Sequence, residues 1–214
     1  MIGLRGLLLV NAGGLARECL AALRSDLDPR PVLVLDDNPD LWGTTLDGAP
    51  VIGGLAEVKQ HEGFEVVVCA GRGATRQAIV ARLTELGVQP HRYGRVRHPS
   101  VDIPRNCRVG RGSILLAHVT LTAAATVGRH VVVMPNVTIT HGDVIDDFAT
   151  LCAGVALGGG VRVGSGAYLG MSSSVGRSLT VGAGATLGMG SALLDDLPAG
   201  QTWTGVPARA SQRP

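Results

Sequence analysis

From Ile103 to Leu193 every sixth residue is aliphatic: Ile103, Val109, Leu115, Leu121, Val127, Val133, Ile139, Ile145, Leu151, Leu157, Val163, Leu169, Val175, Val181, Leu187 and Leu193. If about a third of positions carried Ile, Leu or Val by chance, such a run would arise on the order of once in ten million trials. Six matches neither the 3.6-residue period of an α-helix nor a two-residue strand period broken by turns every eight to twelve residues. It matches a parallel β-helix, in which each unit supplies a short strand and a turn and sends one aliphatic side chain into a narrow interior. Glycine follows the aliphatic residue at Gly110, Gly128, Gly158, Gly164, Gly170, Gly176, Gly182 and Gly188, where it is expected to permit torsions that a Cβ forbids.

Composition agrees with such an interior. The 214 residues include 31 glycines but only two Trp, two Tyr and two Phe, so a core drawn from 45% hydrophobic residues is built of Leu, Val, Ile and Ala. Three units per turn make about five triangular coils, the arrangement of left-handed hexapeptide-repeat proteins.

Other classes are excluded by what is missing. No apolar run approaches the roughly 20 residues needed to cross a bilayer, and no signal-peptide pattern is visible, so a cytoplasmic protein without a membrane partner is expected. Cys19, Cys69, Cys107 and Cys152 lack the paired spacing of a zinc site or a disulfide scaffold and are read as buried free thiols; no metal site is expected. A net charge of +2 is too balanced for a nucleic-acid surface, and Arg92, Arg95 and Arg97 are read as a solvated linker face.

The first 95 residues follow another rule. Residues 7–10 read as a buried parallel strand, 11–15 as a glycine turn, 16–25 as a helix, and 32–35 as a second strand ending at Asp36 and Asp37. A third strand over 66–69 reaches Gly71 and leads to a helix over 74–86 capped by Gly87. This is a small Rossmann-like α/β domain, whose ligands bind at the carboxyl ends of the strands, near Gly13, Gly14, Asp36, Asp37 and Gly71. Asn11-Ala12-Gly13-Gly14-Leu15-Ala16 departs from the dinucleotide fingerprint, because Asn11 and Ala16 stand where it has its first and last glycines. The turn is open to three readings: a tight structural turn, NAD, or a nucleotide or nucleotide sugar with phosphates at the helix amino terminus.

The expected organisation is a Rossmann-like domain over 1–95 followed by a β-helix with a carboxyl-terminal tail over 96–214. With the turn from Asn11 to Arg17, Asp36-Asp37, His98-Pro99-Ser100, the segment Thr140-His141-Gly142-Asp143-Val144-Ile145 and Gly205-Val206-Pro207-Ala208-Arg209, it resembles the hexapeptide-repeat sugar O-/N-acyltransferases of the sialic-acid O-acetyltransferase and bacillosamine or perosamine N-acetyltransferase type. The resemblance implies a homotrimer, acetyl-CoA as co-substrate in grooves between neighbouring helices, and an amino-sugar acceptor on a nucleotide carrier. It implies His141 as general base, Gly159 as a backbone donor to the oxyanion, and acetyl-CoA contacts at Thr150, Gly170, Met171, Gly188 and Met189. Acceptor contacts fall on Gly13, Gly14, Leu15, Asp36, Asp37, Gly54 and Gly71.

An imidazole with a pKa near 6.5 suits proton removal from an attacking amine or hydroxyl at neutral pH. Three positions depart from the family: Gly142 where an acidic residue usually follows the histidine, Leu15 where a histidine is common, and Met134 where an asparagine is common. Asp143, Asp146 and Asp147 are the candidate carboxylates for His141. An O-acetyltransferase of a sialic-acid-like sugar, an acyltransferase on another small amine or hydroxyl, and a non-catalytic trimeric scaffold are the alternative readings.

Overall fold

The computed structural model describes residues 6–25 and 30–211. Residues 1–5 and 212–214, at the outer ends of the two expected domains, lie outside it.

The amino-terminal part is built on β1 (Gly6–Val10), α1 (Gly14–Ser25), β2 (Val32–Leu35), β3 (Thr45–Leu46), β4 (Ala49–Gly53), β5 (Phe64–Val68) and α2 (Gly73–Glu85). Its sheet runs β3-β4-β2-β1-β5, parallel except for the β3–β4 hairpin. All five residues of β1 are buried, as expected of a central strand covered on both faces. On α1, Ala16, Cys19, Leu20 and Leu23 are buried at helical spacing. Gly87, at φ +93°, ends the segment after α2: its N–H donates to the Thr84 carbonyl and that of Val88 to the Leu83 carbonyl. The hairpin and the short 3-10 helices Pro39–Leu41, Leu55–His61 and Pro90–Arg92 are absent from the sequence reading.

From Arg108–Val109 to Ala192–Leu193 the chain forms fifteen two-residue strands, β7–β21, wound as a left-handed parallel β-helix. Each strand pairs with the one 18 residues on, as Thr126 with Val144 and Val127 with Ile145, so three hexads make one coil and there are five coils. Face A carries β7, β10, β13, β16 and β19, face B carries β8, β11, β14, β17 and β20, and face C carries β9, β12, β15, β18 and β21. A strand before the coil, β6 (Val96–Arg97), and two after it, β22 (Thr202–Thr204) and β23 (Arg209–Ala210), extend face B. The inward Ile139, Leu151, Leu169, Leu187 and Leu193 are fully buried, each contributing about 1.5–3 kcal/mol of transfer free energy. No aromatic residue is among the buried residues of this interior core; Trp203, in register with the inward Leu187, packs against its end. Leu197, Ala208 and the partly buried Trp203 close its far end.

The glycines after the inward residue have ordinary backbone torsions; the positive φ angles fall two residues later, at Gly112, His118, Ala124, His130 and their counterparts. The expectation that those first glycines relieve torsional strain is corrected by crowding between coils. A Cβ on Gly164 would approach Ala183 N at 2.5 Å, so a side chain there would force adjacent coils apart.

The outward residue of each strand decides what covers it. On face B these are Ile114, Val132, Thr150, Tyr168 and Thr186, and the first three are buried. Face A presents Arg108, Thr126, Arg162 and Thr180, and face C Thr120, Ala156 and Ser174, all exposed. The amino-terminal part therefore sits on face B, where Ile114, Leu116 and Val132 join its hydrophobic cluster.

Arg76 ties the two parts together. It is fully buried, and its guanidinium donates to the carbonyls of Ala70 (2.8 Å), Gly71 (2.9 Å), His130 (2.8 Å), Phe148 (2.7 Å) and Ala149 (2.9 Å) and to Thr150 Oγ1 (3.0 Å). Among the described residues it has no carboxylate partner, and burial pushes its pKa down to about 10, which keeps it charged at neutral pH. Gly73 lets α2 approach, since a Cβ there would overlap the Phe148 carbonyl.

Arg92 corrects the reading of a solvated basic run. It is 8% exposed and its guanidinium donates to the carbonyls of His61 (2.9 Å) and Phe64 (3.1 Å), whereas Arg95 and Arg97 are exposed. The four cysteines are buried and free, as read.

Arg76→Lys retains the charge but has three donors in place of five, leaving buried carbonyls unpaired. Urea unfolding is expected to show a loss of about 2 kcal/mol or more, against less than about 0.5 kcal/mol for Arg162→Lys on exposed face A.

Candidate active site

A cleft of about 500 Å³ lies where the carboxyl ends of β1 and β5 face the coil. Gly14, Leu15 and Glu18 of α1 line one side, Cys69, Ala70, Gly71, Arg72 and Thr75 another, and Val132, Met134, Thr150, Cys152 and Tyr168 the coil side. Both α1 and α2 begin at this cleft, so unpaired backbone N–H groups and two positive helix ends face it. The Arg72 guanidinium lies 4.7 Å from the centre of the Tyr168 ring, and Arg76 places a second positive charge behind the wall. Such a surroundings favours an anionic group such as phosphate. Burial raises the pKa of Glu18, the carboxylate on the opposite side.

The turn that opens the cleft is made without the expected glycine. Asn11 takes φ +80°, its side-chain amide donates to the Cys69 carbonyl at 3.1 Å, and the Ala12 N–H donates to Asp36 Oδ2 at 2.7 Å. Asn tolerates the left-handed region better than most residues, which is how this turn departs from the three-glycine fingerprint.

The residues expected to hold the acceptor divide between places. Gly14, Leu15 and Gly71 line the cleft just described, and Gly13 lies in the turn beside it. Asp36 spends its carboxylate on the N–H groups of Ala12 and of Asn38 (2.9 Å). Asp37 and Gly54 line a second cleft of about 580 Å³ with Trp42 and Arg82. Asp37 accepts from Leu55 N–H at 3.1 Å and pairs with Arg82 at 2.7 Å; burial opposes ionisation there, but these two partners hold its carboxyl below the usual range.

The residues expected to meet acetyl-CoA also divide. Thr150 is buried in the seam, donating to the Gly71 carbonyl at 2.8 Å. Gly170, Met171, Gly188 and Met189 follow face B on the corner before face C, and Met171 and Met189 are exposed at 53% and 73%. Gly170 is required by the coil itself, because a Cβ there would come within 2.5 Å of Met189 N. Gly188 meets the tail in the same way, at Thr204 Cγ2.

His141 is exposed on the remaining corner, between faces C and A, across the coil from face B and its cleft. Its ring lies directly against Gly159 of the next coil, where any Cβ would overlap the imidazole. Gly159 N–H has no acceptor among the described residues and is available to a ligand. Of the three carboxylates considered for His141, Asp146 and Asp147 are at the other end of face A, where Asp147 pairs with Arg129 at 2.8 Å. Asp143 is buried beneath the histidine's corner and accepts from Thr140 N–H (2.7 Å) and Val161 N–H (2.9 Å). Burial raises its pKa, opposed by those bonds and by nearby His141. It braces the corner without a hydrogen bond to the ring.

Sequence reasoning missed Arg72, Arg76, Glu18 and Tyr168. Tyr168 did carry a signal, as the one ring among the outward strand positions, which elsewhere hold small, aliphatic, Thr or Arg side chains. His130 stacks on Phe148 (centroids 5.1 Å apart) and meets the Tyr93 ring edge-on at 4.5 Å.

No protein-family model matches the sequence, and no curated protein matches it significantly. Solved structures do match over the whole length. The chain is similar to the acetyltransferase domain of PglB from Neisseria gonorrhoeae in complex with acetyl coenzyme A, with 26% identity, 98% of this chain and 100% of that one covered, and a TM-score of 0.89. It is similar to PerB from Caulobacter crescentus in complex with CoA and GDP-perosamine, with 26% identity, 96% and 97% covered, and a TM-score of 0.86. A histidine-to-asparagine variant of perosamine N-acetyltransferase from Caulobacter crescentus, with the same two ligands, matches at 25% identity, 97% of each chain and a TM-score of 0.88. These matches bear out the resemblance to hexapeptide-repeat sugar acyltransferases. Among the described residues no cluster of potential metal ligands occurs and no helix is long and apolar enough to cross a membrane.

Burial pushes the pKa of His130 down to about 4 from an ordinary 6.5; Asp147 opposes this, while Arg129 and Arg76 add to it. The unfolded chain thus binds more protons at this site between those values, so stability falls as the pH is lowered from 6.5 toward 4, by about 3 kcal/mol in all. Urea unfolding at pH 7 and pH 4 should show that loss, and His130→Gln should reduce it.

Proposed function

We propose that this acyltransferase moves the acetyl group of acetyl-CoA to the amine of a nucleotide-linked amino sugar, with His141 as general base. The observation that carries the reading is the whole-length likeness to acetyltransferases whose structures hold acetyl-CoA, or CoA with GDP-perosamine. That a histidine was the residue replaced in a complex of the perosamine enzyme supports the choice of His141.

In this reading the amine nitrogen forms a bond to the thioester carbonyl carbon and the carbon–sulfur bond breaks, with no covalent enzyme intermediate. His141 accepts the proton that the nitrogen loses and returns it to the departing thiolate. The Gly159 N–H donates to the carbonyl oxygen as negative charge develops on it. Asp143 keeps the corner rigid beneath the histidine, a support that does not need an acidic residue at position 142.

Residues 1–95 would hold the acceptor and residues 96–214 the acyl donor. Paired helix amino termini with Arg72 and Arg76 suit a diphosphate at the first cleft, and the exposed Met171 and Met189 offer apolar surface to a pantetheine arm. Because the first cleft and His141 lie on opposite sides of the coil, a homotrimer with sites between neighbours accounts for both. Leu15 and Met134 line the cleft where the related enzymes commonly have polar side chains, which favours an acceptor other than perosamine and keeps O-acetylation of a different sugar as the second reading.

His141→Ala is expected to lower kcat by about a hundredfold or more while acetyl-CoA still binds; wild-type turnover on an amino-sugar acceptor panel would overturn the base assignment. Sedimentation should give a mass three times the 22.0 kDa chain, and a monomer at working concentration would remove the shared site.

A further inference from the structure

The first cleft has two unlike sides. On one, α1 and α2 begin and Arg72 holds its guanidinium over the Tyr168 ring. On the other stands Glu18, the one carboxylate among the described residues that line the cleft. Glu18 follows Gly14 by four positions and Leu15 by three, so all three share a face of α1, and Glu18 lies about 6 Å along the helix axis from Gly14. It also borders a smaller groove, of about 220 Å³, with Ala21 and Leu116, which places it at the margin of the cleft.

This carboxylate is uncommitted. Asp36 and Asp37 accept from backbone N–H groups, and Arg17, the cation next to Glu18 in the chain, turns instead to Asp47 at 2.6 Å. Glu18 itself has no hydrogen bond and no ion pair among the described residues. It stands past the first turn of α1, so it is not a charge placed to complement the helix end. Burial on the cleft side raises its pKa, a cost that a bound positive group would offset.

The group that such a carboxylate recognises follows from its charge. With an anion at the helix ends, a substituent about one helical turn away meets Glu18. A hydroxyl there donates one hydrogen bond, whereas an amine donates two or, when protonated, three with a charge opposite to that of the carboxylate. An attacking nitrogen also gains positive charge as it bonds to a carbonyl carbon, which a neighbouring carboxylate favours. We propose that Glu18 selects an amine at the reacting position of the acceptor, receiving its N–H groups while a diphosphate occupies the helix ends. This role rests on the acceptor lying in the first cleft, and it leaves proton removal to His141.

Calorimetric titration of the full chain with GDP-perosamine and with GDP-rhamnose, which carries a hydroxyl in place of the amine, tests this, together with the matching UDP-linked pair. The amine member of a pair is expected to bind about tenfold or more tightly than its hydroxyl counterpart. Glu18→Gln should abolish that preference while the hydroxyl member and acetyl-CoA bind as they do to the wild type. Glu18 is exposed, so the variant should fold. If none of the sugar nucleotides binds saturably, the acceptor reading of the cleft fails and the role of Glu18 with it. If they bind but the wild type holds both members of each pair alike, or Glu18→Gln keeps the preference, the role of Glu18 is overturned and the acceptor reading stands.

Discussion

A buried cation with no carboxylate partner among the described residues governs this molecule. Arg76 reaches across the seam to carbonyls on both sides; that of Ala149 also accepts from Val132 N–H, but those of Ala70 and Phe148 have no other donor among the described residues. Desolvating the guanidinium is costly, and the carbonyl dipoles offset that cost without neutralising the charge. The amino-terminal part is thereby held in one orientation on face B, with the Gly71 carbonyl and Thr150 hydroxyl bonded together at the edge of the cleft. A positive charge is left behind a site that already has two helix amino termini.

The coil provides the rigid partner for that latch. Its interior is a column of aliphatic side chains too narrow for rings, and its wall is a continuous parallel ladder in which residue i meets residue i+18. Stacking at the strand spacing of roughly 4.8 Å leaves no room for a Cβ where the corner passes over the next coil, which explains the recurrent glycine after the inward residue. The same crowding at Gly159 seats the imidazole of His141 against the backbone. One packing rule thus builds the scaffold and shapes the place where the proposed base stands.

Three corners carry three kinds of surface. The corner between faces C and A bears His141, that between B and C the exposed methionines, and that between A and B the buried His130, stacked on Phe148. The amino-terminal part touches the last and, at Leu116 and Met134, the B–C corner of the first coils, whereas Met171 and Met189 further along that corner and His141 on the third are exposed. In the proposed reaction, donor and acceptor meet between copies because a triangular coil turns its corners away from one another.

The parallel coil, its coil count and the α/β part before it were legible in the sequence, because a six-residue period and a strand–turn–helix rhythm are local properties of the chain. The choice of His141 and Gly159 rests on a resemblance, whereas the torsional role expected of Gly170 and Gly188 is replaced by crowding that comes from the next coil and from the tail. Arg76, Arg92 and His130 were not legible at all. Arg76 meets partners 54 and 74 residues away, and Arg92 turns toward carbonyls 28 and 31 residues back. The sequence alone determined the scaffold, because burial of one side chain in six is settled by the repeat itself. Only the tertiary structure decided which charged and polar side chains are buried and what faces them, because those contacts exist only after distant segments close over one another.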